Sequence, residues 1–265
     1  MEKKKPRVPR WVLIVGLPAA AFVALRISHI AYKIPAGSMM PTLQIGDHIF
    51  ARRSFGAEPR RGEVIVFAFP ENKRQDFVKR VIAVPGDTLE VIDGRPVING
   101  FLVPRCRVGA YTDNGRKVEL YLEYLEDRIY GALYESASPE RACRADSECN
   151  PGDACRGGIC GQLQGPYQVA PGEVWVMGDN RNNSYDSRMW RGGVGAGVSF
   201  DNIHGTARVV WMSFDNRSGM ASERLFASVT GPPTLTMILA PILTPGLDKC
   251  LRDRPAIAAT TPPGR

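Results

Sequence analysis

A basic stretch followed directly by an apolar stretch constrains this chain more than any other feature. The first ten residues carry a net charge of +4, out of +7 for all 265 residues, and residues 11–25 are uncharged and mostly apolar. Fifteen helical residues rise only about 22 Å, less than the ~30 Å hydrocarbon core of a bilayer. A membrane helix must therefore continue to about Ala31, with Arg26 reaching toward the headgroups. The preceding basic residues predict a cytoplasmic N-terminus and an extracytoplasmic remainder.

The same segment also fits a cleaved signal peptide. It combines a basic region, a short apolar region and small residues such as the alanines at 19–21. These residues alone do not separate the two interpretations. We favour a retained anchor at residues 1–33 because a candidate nucleophile, Ser38, follows Ala31 by only seven residues. An enzyme that acts at the bilayer surface gains from keeping its anchor.

The positive charge is not distributed as in a nucleic-acid-binding protein. Outside the first ten residues the chain carries only +3, whereas such proteins concentrate basic residues on a folded face. We therefore predict no nucleic-acid partner. The apolar content of 44% and the charged content of 23% are typical of a folded protein.

Cysteine usage agrees with an extracytoplasmic location. Four of the six cysteines lie within 18 residues that contain almost no apolar side chains: Cys143, Cys149, Cys155 and Cys160. Such a segment cannot form a core, so disulfides must hold it, with three pairings open. Zinc is disfavoured because the cluster lacks histidine and paired C-x2-C spacing. Cys106 and Cys250 either pair with each other or remain free.

Beyond the anchor, short runs of β-branched and aromatic residues predict a mainly β protein. Asp93-Gly94 and Asn99-Gly100 are hairpin signals. The predicted strands are 47–52, 63–69, 77–84, 88–92, 118–125, 128–134, 173–177 and 206–214.

A serine nucleophile with a lysine base is one chemistry that these residues allow, and the residues alone do not decide for it. Ser38 lies in "AGSMMPTL", but no G-x-S-x-G elbow surrounds it, and the histidines (His29, His48 and His204) are not placed to serve as its base. Lys79, within the strand-like "DFVKRVIAV", can act as a base if burial keeps it neutral. On its own a lysine in a strand usually faces solvent.

Four segments in order resemble the signature boxes of type I signal peptidases: "IPAGSMMPTLQIGDHI", "RGEVIVFAFP", "DFVKRVIAVPGD" and "GDNRNNSYDSR". The resemblance covers roughly residues 34–92 and 172–214. It implies a signal-peptidase and LexA-like β fold with one N-terminal transmembrane helix and a small disulfide-rich insertion. It also implies that Ser38 is the nucleophile and Lys79 the general base of a serine protease.

The resemblance assigns supporting roles in the last segment. Ser184 matches a serine whose hydroxyl orients the basic lysine. Asp186 and Arg188 match an ion pair close to the site, and Asp179 with Arg80 match a second pair that fixes the lysine-bearing strand.

Two positions depart from the common form of the family. Ala36 replaces a serine whose hydroxyl contributes to the oxyanion hole, which leaves the Ser38 backbone N–H, with or without another backbone donor. Asn182 stands where acidic residues are common. The apolar residues expected to line the small pockets for the substrate are Ile34, Met39 and Val78.

The expected organisation after the anchor is a β core with two additions. The core comprises residues 34–92 and 165–217. An inserted β subdomain spans residues 93–164 and includes the cysteine-rich segment 135–164, and an irregular tail spans residues 218–265.

The expected activity is removal of signal peptides from preproteins after small residues at the −1 and −3 positions, on the outer side of a bacterial inner membrane. The expected partners are preprotein signal peptides and the lipid bilayer, with no cofactor or metal and a monomeric state. The alternative is a weak or inactive relative that binds partners through its cysteine-rich insertion. A self-cleaving repressor is disfavoured because the chain begins with an apolar anchor rather than a DNA-binding domain.

Overall fold

The computed structural model describes residues 15–113, 115–135, 140–215, 219–256 and 261–263. Along these described residues, one α-helix precedes and one follows a mainly β structure: α1, Leu17–Ser28, and α2, Ala240–Arg252. The strands are β1 His29–Lys33, β2 Asp47–Arg53, β3 Val64–Phe69, β4 Asn72–Ala83, β5 Thr88–Ile92, β6 Arg95–Ile98, β7 Phe101–Leu102, β8 Arg105–Asp113, β9 Arg116–Leu125, β10 Arg128–Glu135, β11 Ala154–Arg156, β12 Ile159–Gly161, β13 Leu163–Gln168, β14 Glu173–Met177, β15 Val198–Ser199, β16 Ile203–Asp215, β17 Gly219–Met220 and β18 Ala227–Ser228.

The predicted anchor differs in part from what the structure contains. Residues 1–14 lie outside the described residues. Helix α1 ends at Ser28, and the predicted continuation to Ala31 is wrong because β1 begins at His29 and pairs antiparallel with β2. The backbone groups of β1 are therefore satisfied by a sheet ladder rather than by a helix. Among the described helices, none has the length and apolar character needed to cross a bilayer.

The large antiparallel sheet has the strand order β1-β2-β16-β3-β4-β14-β15, and β17 and β18 pair with β16. Its central strand β3 reads "VIVFAF" and is buried at every position, as expected for a strand covered on both faces. Side chains from β3, β4 and β14 form one core cluster together with Trp190. This sheet positions the two segments that carry Ser38 and Lys79.

Strands of the inserted region, together with β5 and β13, form smaller sheets that pack on the large one. Strands β13-β5-β6-β7 form one sheet and β10-β9-β8 another. Both predicted hairpins are present: Asp93 and Asn99 adopt φ values of 47° and 52°, and the glycine after each also has positive φ. These are the conformations that a two-residue hairpin turn requires.

Disulfides hold the regions that lack a core of their own. Cys143 pairs with Cys155 and Cys149 with Cys160, so one of the three possible pairings of the cluster is formed. The hairpin β11-β12 carries Cys155 and Cys160, and each disulfide joins it to the preceding loop, which contains a short 3₁₀ turn at Asp146–Glu148.

The C-terminal tail is not irregular throughout, contrary to the prediction. It contains α2, whose buried Leu243 and Cys250 pack against β8, β9 and β10. The Cys106–Cys250 disulfide joins this helix to β8 across a sequence separation of 144 residues.

Candidate functional site

Ser38 lies in a single 3₁₀ turn, Gly37–Met39, that follows an extended Ala36 with φ −134° and ψ 151°. Met39 is 2% exposed and anchors the turn in the core. The turn is closed by the Met40 N–H, which donates to the Gly37 carbonyl at 3.1 Å. The Ser38 hydroxyl is therefore presented by a loop that is fixed at both ends.

Lys79 lies within β4, opposite Ile65 of β3, and is 4% exposed. Its Nζ lies 2.8 Å from Ser38 Oγ and 3.1 Å from the Val78 carbonyl oxygen. The Phe77 ring centroid lies 5.1 Å from the same nitrogen. The structure thus brings the two predicted residues, 41 positions apart in the chain, within hydrogen-bond distance.

Burial is the dominant influence on the Lys79 amine. Desolvation lowers the pKa of Lys79 from 10.5 to about 8, the Asp186 and Asp179 carboxylates oppose this, and Arg188 adds to it. At pH 7 a group with a pKa near 8 is neutral in about one molecule in ten. The neutral amine can accept the proton of the adjacent hydroxyl, which a charged ammonium cannot.

A buried ion pair fixes the strand that carries Lys79. Arg80, the next residue, makes two hydrogen bonds to the Asp179 carboxylate at 2.7 and 2.6 Å and is 1% exposed. Its Nη1 donates to the Gly62 carbonyl at 2.7 Å. Thr42 donates its hydroxyl to Asp179 at 2.5 Å. Because every polar side-chain group of the Arg80–Asp179 pair has a hydrogen-bond partner, the pair fixes the position of β4, the strand that carries Lys79.

The second predicted ion pair, Asp186 with Arg188, is also present. Arg188 Nε and Nη2 lie 2.8 and 2.9 Å from the Asp186 oxygens. Burial alone would favour the neutral acid, but Arg188 holds the pKa of Asp186 below its usual value. The Gly178 N–H also donates to this carboxylate, at 2.9 Å.

Ser184 lies beside these groups but does not make the predicted bond to Lys79. In the described part of the chain, Lys79 Nζ bonds to Ser38 Oγ and to the Val78 carbonyl. The Ser184 hydroxyl is buried without a hydrogen bond of ordinary geometry, although it contributes to lowering the pKa of Asp186. Its orienting role stays a prediction.

Gly178 is needed for a close approach between three segments. A Cβ at this position would lie 2.2 Å from Ser184 Oγ and 2.5 Å from the Ser38 carbonyl oxygen. Any larger residue would therefore displace the nucleophile loop or the serine beside it. This glycine follows β14 directly and lies at the first position of the "GDNR" segment.

A groove of about 500 Å³ opens beside Ser38 and Lys79. The predicted pocket residues Ile34, Met39 and Val78 all line it. On its far side β4 pairs with β14 only from Arg80 onward, so within the described residues the preceding part of β4 has no strand partner at that edge. The groove thus combines apolar side chains with a stretch of β4 that has no strand partner on this side.

A larger cleft, of about 620 Å³, lies between the cysteine-rich segment and β8–β10. Charged side chains such as Arg105, Arg107 and Glu119 dominate its walls, and neither Ser38 nor Lys79 reaches it. The sulfur atoms of Cys143, Cys149 and Cys160 lie close together but are bonded in disulfides. They are therefore unavailable as thiolate ligands for a metal.

Sequence reasoning missed several groups that support the site. Arg181 and Glu123 form a buried ion pair at 2.7 Å between the "GDNR" turn and β9. Asn180 contacts the nucleophile loop directly, with its backbone N–H on the Ser38 carbonyl at 3.1 Å. The "GDNR" resemblance pointed to this turn, but no sequence signal marks Glu123, which is 58 residues from its partner.

Comparison with known proteins identifies the family. Residues 8–212 match the family model described as signal peptidase, peptidase S26. The chain belongs to this peptidase family. The match includes the groove, the ion pairs and both residues of the Ser38–Lys79 pair.

Individual relatives agree with the family model. A protein named signal peptidase I from Pseudomonas fluorescens is 33% identical over 204 residues, a match that covers 69% of this chain and 64% of the relative. A protein of the same name from Aquifex aeolicus (strain VF5) is 33% identical over 216 residues, covering 69% of this chain and 75% of the relative. The chain thus spans slightly less than two thirds of the Pseudomonas protein.

Similarity to one solved structure is weaker. The crystal structure of a signal peptidase I from Enterococcus faecalis V583 aligns with a TM-score of 0.29 and 21% sequence identity. The alignment covers 56% of this chain and 96% of the other.

Proposed function

We propose that this chain is a membrane-associated serine endopeptidase that removes signal peptides from exported preproteins. The observation that carries the proposal is the 2.8 Å distance between Ser38 Oγ and the buried amine of Lys79. Family membership and the names of the relatives supply the substrate class. The apolar segment at the N-terminus supports an anchor in the bacterial inner membrane, with the site on the outer side.

The chemistry follows from the pair. Neutral Lys79 accepts the Ser38 proton as Oγ attacks the scissile carbonyl carbon, which forms a C–O bond and a tetrahedral oxyanion. The C–N bond then breaks, the leaving amine takes the proton from the Lys79 ammonium, and an acyl-enzyme remains. Water, deprotonated by the same amine, hydrolyses the ester and returns Ser38 to its hydroxyl form.

Substrate binding is proposed to occur by strand addition. The unpaired edge of β4 before Arg80 and the extended segment around Ile34 both line the groove. An extended peptide between them would form main-chain hydrogen bonds, and its alternate side chains would enter the groove. Ile34, Met39 and Val78, which line the groove, are proposed to restrict the −1 and −3 positions to small side chains.

The supporting residues act on the position and charge of the pair. The Arg80–Asp179 pair fixes the strand that carries the base. The charges of Asp186 and Arg188 act on the pKa of Lys79 in opposite directions, since Asp186 raises it and Arg188 lowers it. Ser184 is proposed to orient the Lys79 amine when substrate is bound, since apo sites often tighten in the complex.

The test is cleavage of a preprotein with an Ala-x-Ala site, with the product mass used to locate the cut. We expect Ser38→Ala and Lys79→Ala to lose essentially all activity. Lys73→Ala is the matched control, because this exposed lysine lies on the same strand and should have no effect. Replacing the −1 alanine by leucine should abolish cleavage by the wild-type chain. Wild-type activity no greater than that of Ser38→Ala would contradict the proposal.

A further inference from the structure

Asn180 bonds to both peptide groups that flank Ser38. Its side-chain Nδ2 donates to the Gly37 carbonyl at 3.2 Å, and its backbone N–H donates to the Ser38 carbonyl at 3.1 Å. The residue is 6% exposed. The amide nitrogen must face Gly37, because a carbonyl oxygen can only accept a hydrogen bond.

The bond to Gly37 fixes the direction of the Ser38 N–H. The peptide between these residues is trans, since the cis bonds of the described chain lie elsewhere, and a trans peptide is planar with C=O and N–H pointing in opposite directions. Holding the Gly37 oxygen toward Asn180 therefore directs the Ser38 N–H away from Asn180. The Met40 N–H also donates to the Gly37 oxygen, at 3.1 Å, so Asn180 is the second of two donors that hold this peptide plane against the wide conformational range of glycine.

We propose that Asn180 is a positioning residue that aims the Ser38 N–H at the oxyanion of the tetrahedral intermediate. The inference rests on the proposed function, because it concerns the same acyl transfer. Ala36 supplies no hydroxyl to the oxyanion, so the backbone donor carries a larger share of the stabilisation. A donor that is aimed before the reaction requires no reorganisation as charge develops.

The turn that carries Asn180 is itself rigid. The Asn183 N–H donates to the Asn180 carbonyl at 3.0 Å, and Leu133 of β10 exchanges backbone hydrogen bonds with Asp179 and Arg181 at 2.8 and 2.9 Å. Arg181 is locked by its buried ion pair with Glu123. The turn that carries Asn180 is thus fixed by contacts with β9 and β10, in addition to its own bonds to the nucleophile loop.

The main variant is Asn180→Ala, which removes the bond to Gly37 and leaves the backbone bond to Ser38. Asn182→Ala is the matched control, because Asn182 lies in the same turn but is exposed and bonds to the Glu135 N–H instead. Kinetics are measured on the preprotein above pH 9, where Lys79 is neutral in both variants. Binding is measured for a peptide aldehyde, whose adduct with Ser38 carries the oxyanion, and for the matching peptide alcohol, which forms none.

We expect Asn180→Ala to lower kcat about 10- to 100-fold, a fraction of the effect of deleting an oxyanion donor, with KM within about twofold. Aldehyde affinity should fall by a similar factor while alcohol affinity is unchanged, and Asn182→Ala should behave as wild type. Equal losses for aldehyde and alcohol, or an unchanged kcat, would overturn the inference. If Asn180→Ala does not fold, Asn180→Asp keeps the shape of the side chain without the donor. It is judged in the same way, by comparing its loss of aldehyde affinity with its loss of alcohol affinity. A wild-type chain that cleaves nothing would instead refute the proposed function.

Discussion

Replacement of Lys79 by methionine tests whether the charged form of the buried Lys79 amine destabilises the folded chain. The fall in the pKa of Lys79 from 10.5 to about 8 corresponds to about 3 kcal/mol of destabilisation of the folded chain when the amine is charged. Between these two pKa values the unfolded chain binds more protons than the folded chain, so stability rises with pH across that window. Below pH 8 the full cost is present, and above 10.5 it has vanished.

Lys79→Met removes this cost but also removes two hydrogen bonds, worth about 1 kcal/mol each. We therefore expect the variant to be about 1 kcal/mol more stable than wild type at pH 7. The sharper expectation concerns the difference in unfolding free energy between the two proteins. Between pH 7 and pH 10, wild type should gain about 2.5 kcal/mol of stability relative to Lys79→Met. Groups that titrate identically in both proteins cancel from this difference.

The assay is denaturant unfolding of the full chain at several pH values, with Lys73→Met as the control on an exposed part of the same strand. Lys73→Met should show no pH-dependent difference from wild type. A difference between wild type and Lys79→Met that stays constant from pH 7 to pH 10 would refute the reasoning, because the amine would then titrate as it does in the unfolded chain.

Three further changes test the surroundings of the site. Arg80→Ala leaves the buried Asp179 carboxylate unpaired and should cost about 3–5 kcal/mol in denaturant unfolding; a loss below 1 kcal/mol would show that the pair is hydrated. Gly178→Ala places a Cβ 2.2 Å from a buried hydroxyl and should lower kcat/KM at least about tenfold, with full activity contradicting the geometry. Replacing Cys106 and Cys250 by serine should lower the unfolding free energy by about 2–5 kcal/mol, and an unchanged midpoint would contradict a disulfide that stabilises the tail.

Local sequence patterns predicted much of the β structure. The strands at 88–92 and 173–177 agree with the prediction at both ends, because each is an isolated apolar run between turn signals. Strand β1 was missed because His29–Lys33 continues an apolar segment, and only its pairing with β2 makes it a strand. Pairing is a tertiary property that the segment itself does not encode.

Helix α2 was missed for a different reason. Pro241, Pro245 and Gly246 lie within it, and such residues argue against a helix on propensity. The first proline lies at the helix start, where it is tolerated. Packing of Leu243 and the disulfide at Cys250 supply the tertiary stabilisation that overrides local preference.

The candidate site was predictable as far as its motifs extend. The four segments pointed to Ser38, Lys79 and both ion pairs, since each lies inside a recognisable block. Glu123 and the role of Asn180 could not be predicted, because they depend on how the "GDNR" turn packs against β9, β10 and the nucleophile loop. The pairing of the cysteine cluster was equally open, since its spacing permits all three arrangements.

The central claim is that the buried, uncharged amine of Lys79 takes the proton of Ser38. The pH dependence of kcat/KM for preprotein cleavage tests this claim most directly. We expect kcat/KM to rise about tenfold per pH unit below pH 8 and to level off above a pKa of about 8, the value to which burial lowers Lys79. A profile that is flat from pH 6 to pH 10, or that levels off near the ordinary pKa of histidine, would contradict lysine as the base.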